Sequence, residues 1–179
     1  MKKNDINIFI YFLFIFVMFS CNGVKQNKLD KHTVTQKQVE DYLEQNNRDF
    51  LIYESIKINE YVESHGMNVI QTGTGLRYQI HDSGDGVLIK EGDIVTLEYE
   101  VSLLNGDLIY SSDEDDVKTF LVGRGGVESG LEEAILKLCE KSVATLIIPA
   151  HLAHGLIGDG NKVPPRATLV YRLKVIGKQ

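Results

Sequence analysis

The stretch 145–176, TLIIPAHLAHGLIGDGNKVPPRATLVYRLKVI, restricts the possible folds more than any other part of the 179-residue chain. It sets two strand-like runs, Thr145–Ile148 and Ala167–Ile176, on either side of one long loop. The second run alternates, with Ala167, Leu169, Tyr171, Leu173 and Val175 on one face and Thr168, Arg172 and Lys174 on the other. That is the period of a strand with one buried face. The loop carries Gly155, Gly158 and Gly160, then Pro164-Pro165. Glycine admits positive φ, and paired prolines hold the chain extended without offering a ladder donor. A loop of that length inside a compact domain is more often functional than idle. It reads as the lip of a binding pocket.

Upstream, Leu76–His81 reads as a strand and Ser83-Gly84-Asp85-Gly86 as a turn. Asp93–Leu104 alternates with Val95, Leu97, Tyr99, Val101 and Leu103 on one face, and Asn105-Gly106 supplies a two-residue hairpin signal. The four acids Asp113–Asp116 read as a solvated loop, since they lack the glycine and distal glutamate of a calcium loop. Lys118–Val122 is a further short strand. Ser129 begins a helix, Glu132 completes a capping box with it, and Leu131, Ile135 and Leu138 share one face. From residue 35 to 66 the pattern turns helical, with Val39, Tyr42, Leu43, Leu51, Ile58, Tyr61 and Val62 at three- and four-residue steps. Asn46-Asn47 is a place where this arm can break, and Gly66 is its stop. The stripe would pack on the C-terminal domain, pair with a second copy, or grip another chain.

The first twenty residues stand apart. Lys2-Lys3 precede an unbroken apolar run, Ile8–Phe19, which ends at Ser20-Cys21. Twelve residues fall short of the roughly 20 a membrane-spanning helix needs. A basic start, a short apolar run and a small residue read as an export signal over 1–20. Cys21 after Met18-Phe19-Ser20 resembles the acylated cysteine of a bacterial lipoprotein, although Met18 stands where leucine is usual. Attached acyl chains would anchor the protein to a membrane. Residues 21–34, polar and without an apolar period, form a tether. With Cys21 acylated, Cys139 is the remaining thiol and no intramolecular disulfide forms. The formal charge is −6, and an acidic chain without a basic stripe is not a nucleic-acid binder.

IPAHLAHG followed by IGDGNKVPPRATLVY resembles the C-terminal half of the FK506-binding-protein type of peptidyl-prolyl isomerase, in which P-x-x-L-A-Y-G, a flap and I-P-P-x-A-x-L-x-F recur. The resemblance covers 72–179. It implies an α+β fold: a curved antiparallel sheet wrapped around one short helix, here preceded by the helical arm. It also implies proline-containing polypeptide clients. Turning an X–Pro bond breaks amide resonance, a barrier near ~20 kcal/mol. Lowering it needs no nucleophile, metal, cofactor or proton shuttle. An apolar hollow raises the planar, more charge-separated amide relative to the twisted one, and a directed donor adds to this. A thousandfold gain requires only ~4 kcal/mol.

Carried over position by position, Tyr99 matches the family's tyrosine on the second strand and Val127 its valine before the central helix. Val163 matches the aliphatic residue before Pro-Pro, and Tyr171 replaces a phenylalanine. The backbone N–H of Glu128 is the implied donor to the client carbonyl. Elsewhere the chain departs. Ile109-Tyr110-Ser111-Ser112 stands for Phe-Asp-Ser-Ser, losing an aromatic wall and a carboxylate. Leu131 is a small pocket floor, and His154 takes the place of a tyrosine while keeping a donor. Lys118 replaces an aromatic, leaving Phe120 as the nearest ring, and Lys162 replaces an aliphatic flap residue. These departures point to reduced turnover and to weakened binding of FK506-like drugs. They favour, as a competing reading, a protein-binding module of the same shape. His151 and His154 have the spacing of a metal pair but no third ligand, so no metal is expected. Within the family, the lipoprotein signal, the arm and HLAHGLIGDGNKVPPR resemble the gliding-motility-associated isomerase lipoproteins of the Bacteroidetes. No acidic residue follows Cys21 closely, which favours an anchor facing the periplasm. A homodimer through the arm is a further expectation.

Overall fold

The computed structural model describes residues 35–179. The expected signal, Cys21 and the tether lie outside the described residues. The chain divides into two compact units between Asp41 and Tyr42, and packing is described for the second.

Helix α1, Gln36–Ser64, runs unbroken through Asn46-Asn47, where the sequence allowed a break. Thr35 and Gln38 form the capping box at its start. The Gln38 N–H donates to Thr35 Oγ1 (3.3 Å) and the Thr35 N–H to Gln38 Oε1 (2.9 Å), so two orphan donors are satisfied reciprocally. At the other end Gly66 adopts φ 60°. The N–H groups of Gly66 and Met67 close back on the carbonyls of Glu63 (3.1 Å) and Val62 (3.0 Å). This is the αL cap that glycine accommodates without strain.

The strands are β1 (Ile70–Gln71), β2 (Arg77–Asp82), β3 (Ile94–Leu103), β4 (Leu108–Ser111), β5 (Lys118–Leu121), β6 (Val143–Ile148) and β7 (Leu169–Lys178). Two short helices, α2 (Ser112–Asp115) and α3 (Ser129–Ile135), complete the elements used below. The strands form one antiparallel sheet in the order β1-β2-β6-β7-β3-β4, with β5 also on β3. The sheet wraps α3, whose Leu131, Ala134 and Ile135 are fully buried against Tyr99 and Val101 of β3 and Tyr171 of β7. The expected α+β architecture is therefore the observed one.

Several local expectations are corrected. The β3–β4 connection is a four-residue loop, 104–107, rather than a two-residue turn. Gly106 has φ 92°, and the register shifts between Val101 and Ser102. Asp113, Glu114 and Asp115 lie on the exposed helix α2 rather than in a loop. Ser129 is the first residue of α3 and not its cap, so no capping box forms there. Glu132 instead accepts the N–H groups of Gly123 (2.8 Å) and Gly125 (3.2 Å). Three glycines of that approach, Gly123, Gly125 and Gly126, have positive φ, and the carboxylate gathers the segment that delivers residue 128.

The outer face of β6 and β7 is covered as well. Ile58 of α1 packs on Ile147 and Val170, with Tyr61 and Val62 alongside. Glu54 and Thr168, polar residues expected at a surface, are both buried. Of the arm's apolar stripe, Tyr42, Leu43 and Leu51 remain exposed. The C-terminal half of α1 is thus part of the same folded body as the sheet.

Candidate functional site

The site lies on the inner face of the sheet, between β3, β5, β7, the start of α3 and the loop from Pro149 to Ala167. Tyr99 and Tyr171 reach it because alternate residues of β3 and β7 face α3. Their ring centroids are 6.3 Å apart at an interplanar angle of 34°. Phe120, Ile109, Val163 and Leu131 belong to the same buried cluster, and Val127 and Tyr110 pack against it. Glu128 is the N-cap of α3, with φ −60° and ψ 140°. His154 arrives from the loop.

The expected dry cup is not what these residues make. The Glu128 side chain turns into the hollow, and its Oε1 accepts from the Tyr171 hydroxyl at 2.6 Å. His154 Nε2 lies 3.3 Å from the same oxygen. Lys118 donates to the Tyr171 hydroxyl at 3.2 Å, and its ammonium stands 3.7 Å from Glu128 Oε2. That gap is too long for a hydrogen bond, and Oε2 is buried without a partner. The physical reason is charge matching: a carboxylate at position 128 and an ammonium at 118 neutralise one another where two apolar side chains would otherwise meet. Lys118 also holds its charge over two rings, 5.0 Å from the Tyr99 centroid and 5.4 Å from that of Tyr171. Its position supplies attraction to the rings where the sequence suggested only a lost wall.

The electrostatics follow from these contacts. Burial pushes the Glu128 carboxyl up. Lys118, the Tyr171 hydroxyl, the residue's own backbone N–H and His154 outweigh burial and hold it below the usual carboxylate range. Burial, then the Glu128 charge, drive the Tyr171 hydroxyl upward, so it remains a donor. Burial and the charges of Asp115, Glu128 and Asp116 raise Tyr99 as well.

A second network closes the flap. The Tyr110 hydroxyl donates to Asp159 Oδ2, and Asn161 Nδ2 donates to the Tyr110 oxygen at 3.3 Å. Asp159 Oδ1 accepts the N–H groups of Asn161 and Val163, each at 2.8 Å. Burial raises the Asp159 carboxyl, but these donors and His154 bring it down to about 2. Tyr110 and Asp159 thus return a ring and a carboxylate to the mouth of the hollow, with the two chemistries exchanged between strand and flap. Sequence reading did not single out Asp159. Its signal was the D-G-N-x-V spacing, in which an aspartate accepts from the amide two residues on. The two histidines do not converge, since His151 Nε2 pairs with the Thr74 carbonyl at 2.9 Å while His154 faces Glu128.

An antiparallel sheet closing on one short helix, with paired tyrosines beneath a Pro-Pro flap, defines the FK506-binding class of fold. The sequence model of the FKBP-type peptidyl-prolyl cis-trans isomerase family matches residues 86–176, and the chain belongs to that family. A probable FKBP-type peptidyl-prolyl cis-trans isomerase FkpA of Neisseria meningitidis serogroup B is 38% identical over 106 residues. The match covers 59% of this chain and 38% of that protein's length. The outer membrane protein MIP of Legionella longbeachae is 26% identical over 157 residues, 80% of this chain and 66% of that one. The crystal structure of FkpA from Escherichia coli superposes with a TM-score of 0.63 at 22% identity, covering 100% of this chain and 83% of that one, a likeness of fold.

Proposed function

We propose that this chain is a peptidyl-prolyl cis–trans isomerase that helps exported proteins fold, held to a bacterial membrane by lipid on Cys21 and facing the periplasm. The observation that carries the activity is the inner face of the sheet. Tyr99, Tyr171, Leu131 and Val163 belong to one buried cluster beneath the flap, with the Glu128 backbone beside it as the N-cap of α3. A prolyl ring against those side chains leaves water, and an amide that leaves water loses the solvation favouring its planar form. In this reading the Glu128 N–H donates to the client carbonyl as it turns.

Anchoring draws support from the Lys2-Lys3, Ile8–Phe19 and Cys21 pattern. Among the described residues no helix is long and apolar enough to cross a membrane. An association with gliding motility, or secretion linked to it, draws on the sequence resemblance alone. The exposed Tyr42, Leu43 and Leu51 support pairing of two arms in a homodimer.

Isomer exchange measured by NMR on proline tetrapeptides, with the full chain in detergent micelles, tests the activity. Catalysed exchange that Tyr99→Ala abolishes is the expected result. A background rate at micromolar protein refutes it. The buried Glu128 carboxylate favours a second reading, a peptide-binding module with little turnover, which predicts peptide binding that survives Tyr99→Ala.

A further inference from the structure

The walls of the hollow are covered in this structure. Leu131 is 0% exposed, Tyr171 1% and Val163 3%, and the side chain above them, Glu128, is itself 8% exposed. A prolyl ring that packs on Tyr171 from its hydroxyl side has to displace Glu128. The Glu128 backbone N–H, at the N-cap of α3, is the donor a client carbonyl needs. Client and carboxylate therefore compete for the Tyr171 side of the site.

What draws Glu128 out depends on what it loses and what it meets. It gives up the Tyr171 hydroxyl and His154 from Oε1 and the 3.7 Å ion pair with Lys118 from Oε2, which has no hydrogen bond to lose. Outside, it joins an acidic mouth. Asp113, Glu114 and Asp115 line α2 with Asp116 next in the chain, and Asp115 and Asp116 act on the Tyr99 hydroxyl. Asp159 lies across the mouth on the flap. Of the nearby cations, Lys118 is engaged on the two tyrosine rings and Lys162 sits 4.9 Å from the Tyr110 centroid. A client with a cation beside its proline offers the withdrawn carboxylate a partner in place of those it left, in a field of the right sign. A client with an acid there meets repulsion from both.

We propose that Glu128 is a specificity-determining residue: it fills the hollow until a lysine or arginine flanking the client proline draws it out as an ion-pair partner. This rests on the isomerase reading of the site and narrows its substrates to basic proline segments. Lys118, left inside, keeps its contacts with the two rings and the Tyr171 hydroxyl.

The test uses three tetrapeptides that differ only in the residue before proline, lysine, leucine or glutamate, with isomer exchange measured by NMR on the full chain. The wild type is expected to favour lysine over leucine about tenfold, the scale of one charge-assisted hydrogen bond, with glutamate slower still. Glu128→Gln, which keeps shape and removes charge, should collapse that spread, and Glu128→Ile should raise the rate on the leucine peptide. A lysine-to-leucine ratio near one, or a ratio unchanged in Glu128→Gln, overturns the proposal while leaving the isomerase intact. If no protein turns over any peptide, the isomerase reading falls, and binding of the same peptides, followed by amide shifts of Leu131 and Tyr171, decides the selectivity. Tighter lysine-peptide binding that Glu128→Gln abolishes supports it, and equal binding by the two proteins overturns it.

Discussion

One carboxylate oxygen of α1 ties both ends of the flap. Glu54 Oε1 accepts the backbone N–H of Ala150 at 2.7 Å and the hydroxyl of Thr168 at 2.6 Å. Ala150 opens the loop that carries His154, Asp159 and Val163, and Thr168 closes it. Glu54→Leu keeps the volume and removes the acceptor, leaving two buried donors unpaired. Each costs about 1–3 kcal/mol, so the loss should reach about 4 kcal/mol, a large part of an ordinary domain's stability. Glu54→Gln keeps an amide oxygen in place and exchanges charge-assisted bonds for neutral ones, a loss of about 1–2 kcal/mol. Urea unfolding reads both as shifts in midpoint at unchanged slope, and amide exchange at Ala150 should quicken in the leucine variant. A Glu54→Leu penalty below about 1 kcal/mol, or equal penalties in the two variants, would show that the oxygen is not the clamp. By the same contacts, removing α1 would uncover Ile147 and Val170 and strip Arg77 of Ser55 and Asn59, each 3.0 Å from its Nη2.

Gly158 has φ +73°, and a Cβ there would lie 2.1 Å from the Val163 carbonyl oxygen. Gly158→Ala should therefore cost at least about 2 kcal/mol, and an unchanged thermal midpoint would contradict this. In Gly130→Ala the new methyl would lie 2.4 Å from Ile148 Cγ2, so α3 must shift from β6 at a cost of about 1–3 kcal/mol, again read by thermal melting. Tyr110→Phe removes a donor that opposes burial at Asp159, so the Asp159 carboxyl should titrate above its present value of about 2, as carboxyl-carbon NMR would show. Glu128 and Asp159 are both held below their ordinary values. The stability each contributes is complete above the unfolded carboxyl range, near pH 4, and is lost as pH falls through the folded values. Glu128→Gln should flatten part of that acid limb in a pH series of unfolding midpoints.

The sheet was legible because its signal is local. Alternation in β3 and β7 states which side chains face α3, and the glycines before Pro164-Pro165 state where the lip must bend. Signals that depend on a partner far along the chain were read wrongly or not at all. Ser129 and Glu132 have the capping-box spacing, but Glu132 finds Gly123 and Gly125 nearer at hand. Thr35 and Gln38 have the same spacing and form the box. Glu54 carries the ordinary mark of a solvated helix residue, and only the crossing of α1 over β6 and β7 buries it. Lys118 reads as a lost aromatic until Glu128, ten residues on, turns back to meet it. Pattern states the face a residue occupies, whereas pairing across the fold decides what its charge does there.

The mouth of the site is where the two levels meet, and the terms oppose one another. Withdrawing Glu128 forfeits a charge-assisted hydrogen bond from Tyr171, about 1.5–3 kcal/mol, together with its contacts to His154 and Lys118. Against this, burying the three methylenes of a prolyl ring yields about 2.4 kcal/mol at about 0.8 per CH₂. Apolar contact alone therefore does not open the site, and an added electrostatic term decides which prolines enter. A site lined throughout by aliphatic side chains would not have this balance and would discriminate chiefly by shape. Here the residue that supplies the donor also supplies the competitor, so selectivity and turnover are tied to one side chain. Charge at position 128 should thus change which clients enter more than it changes the barrier once they are inside.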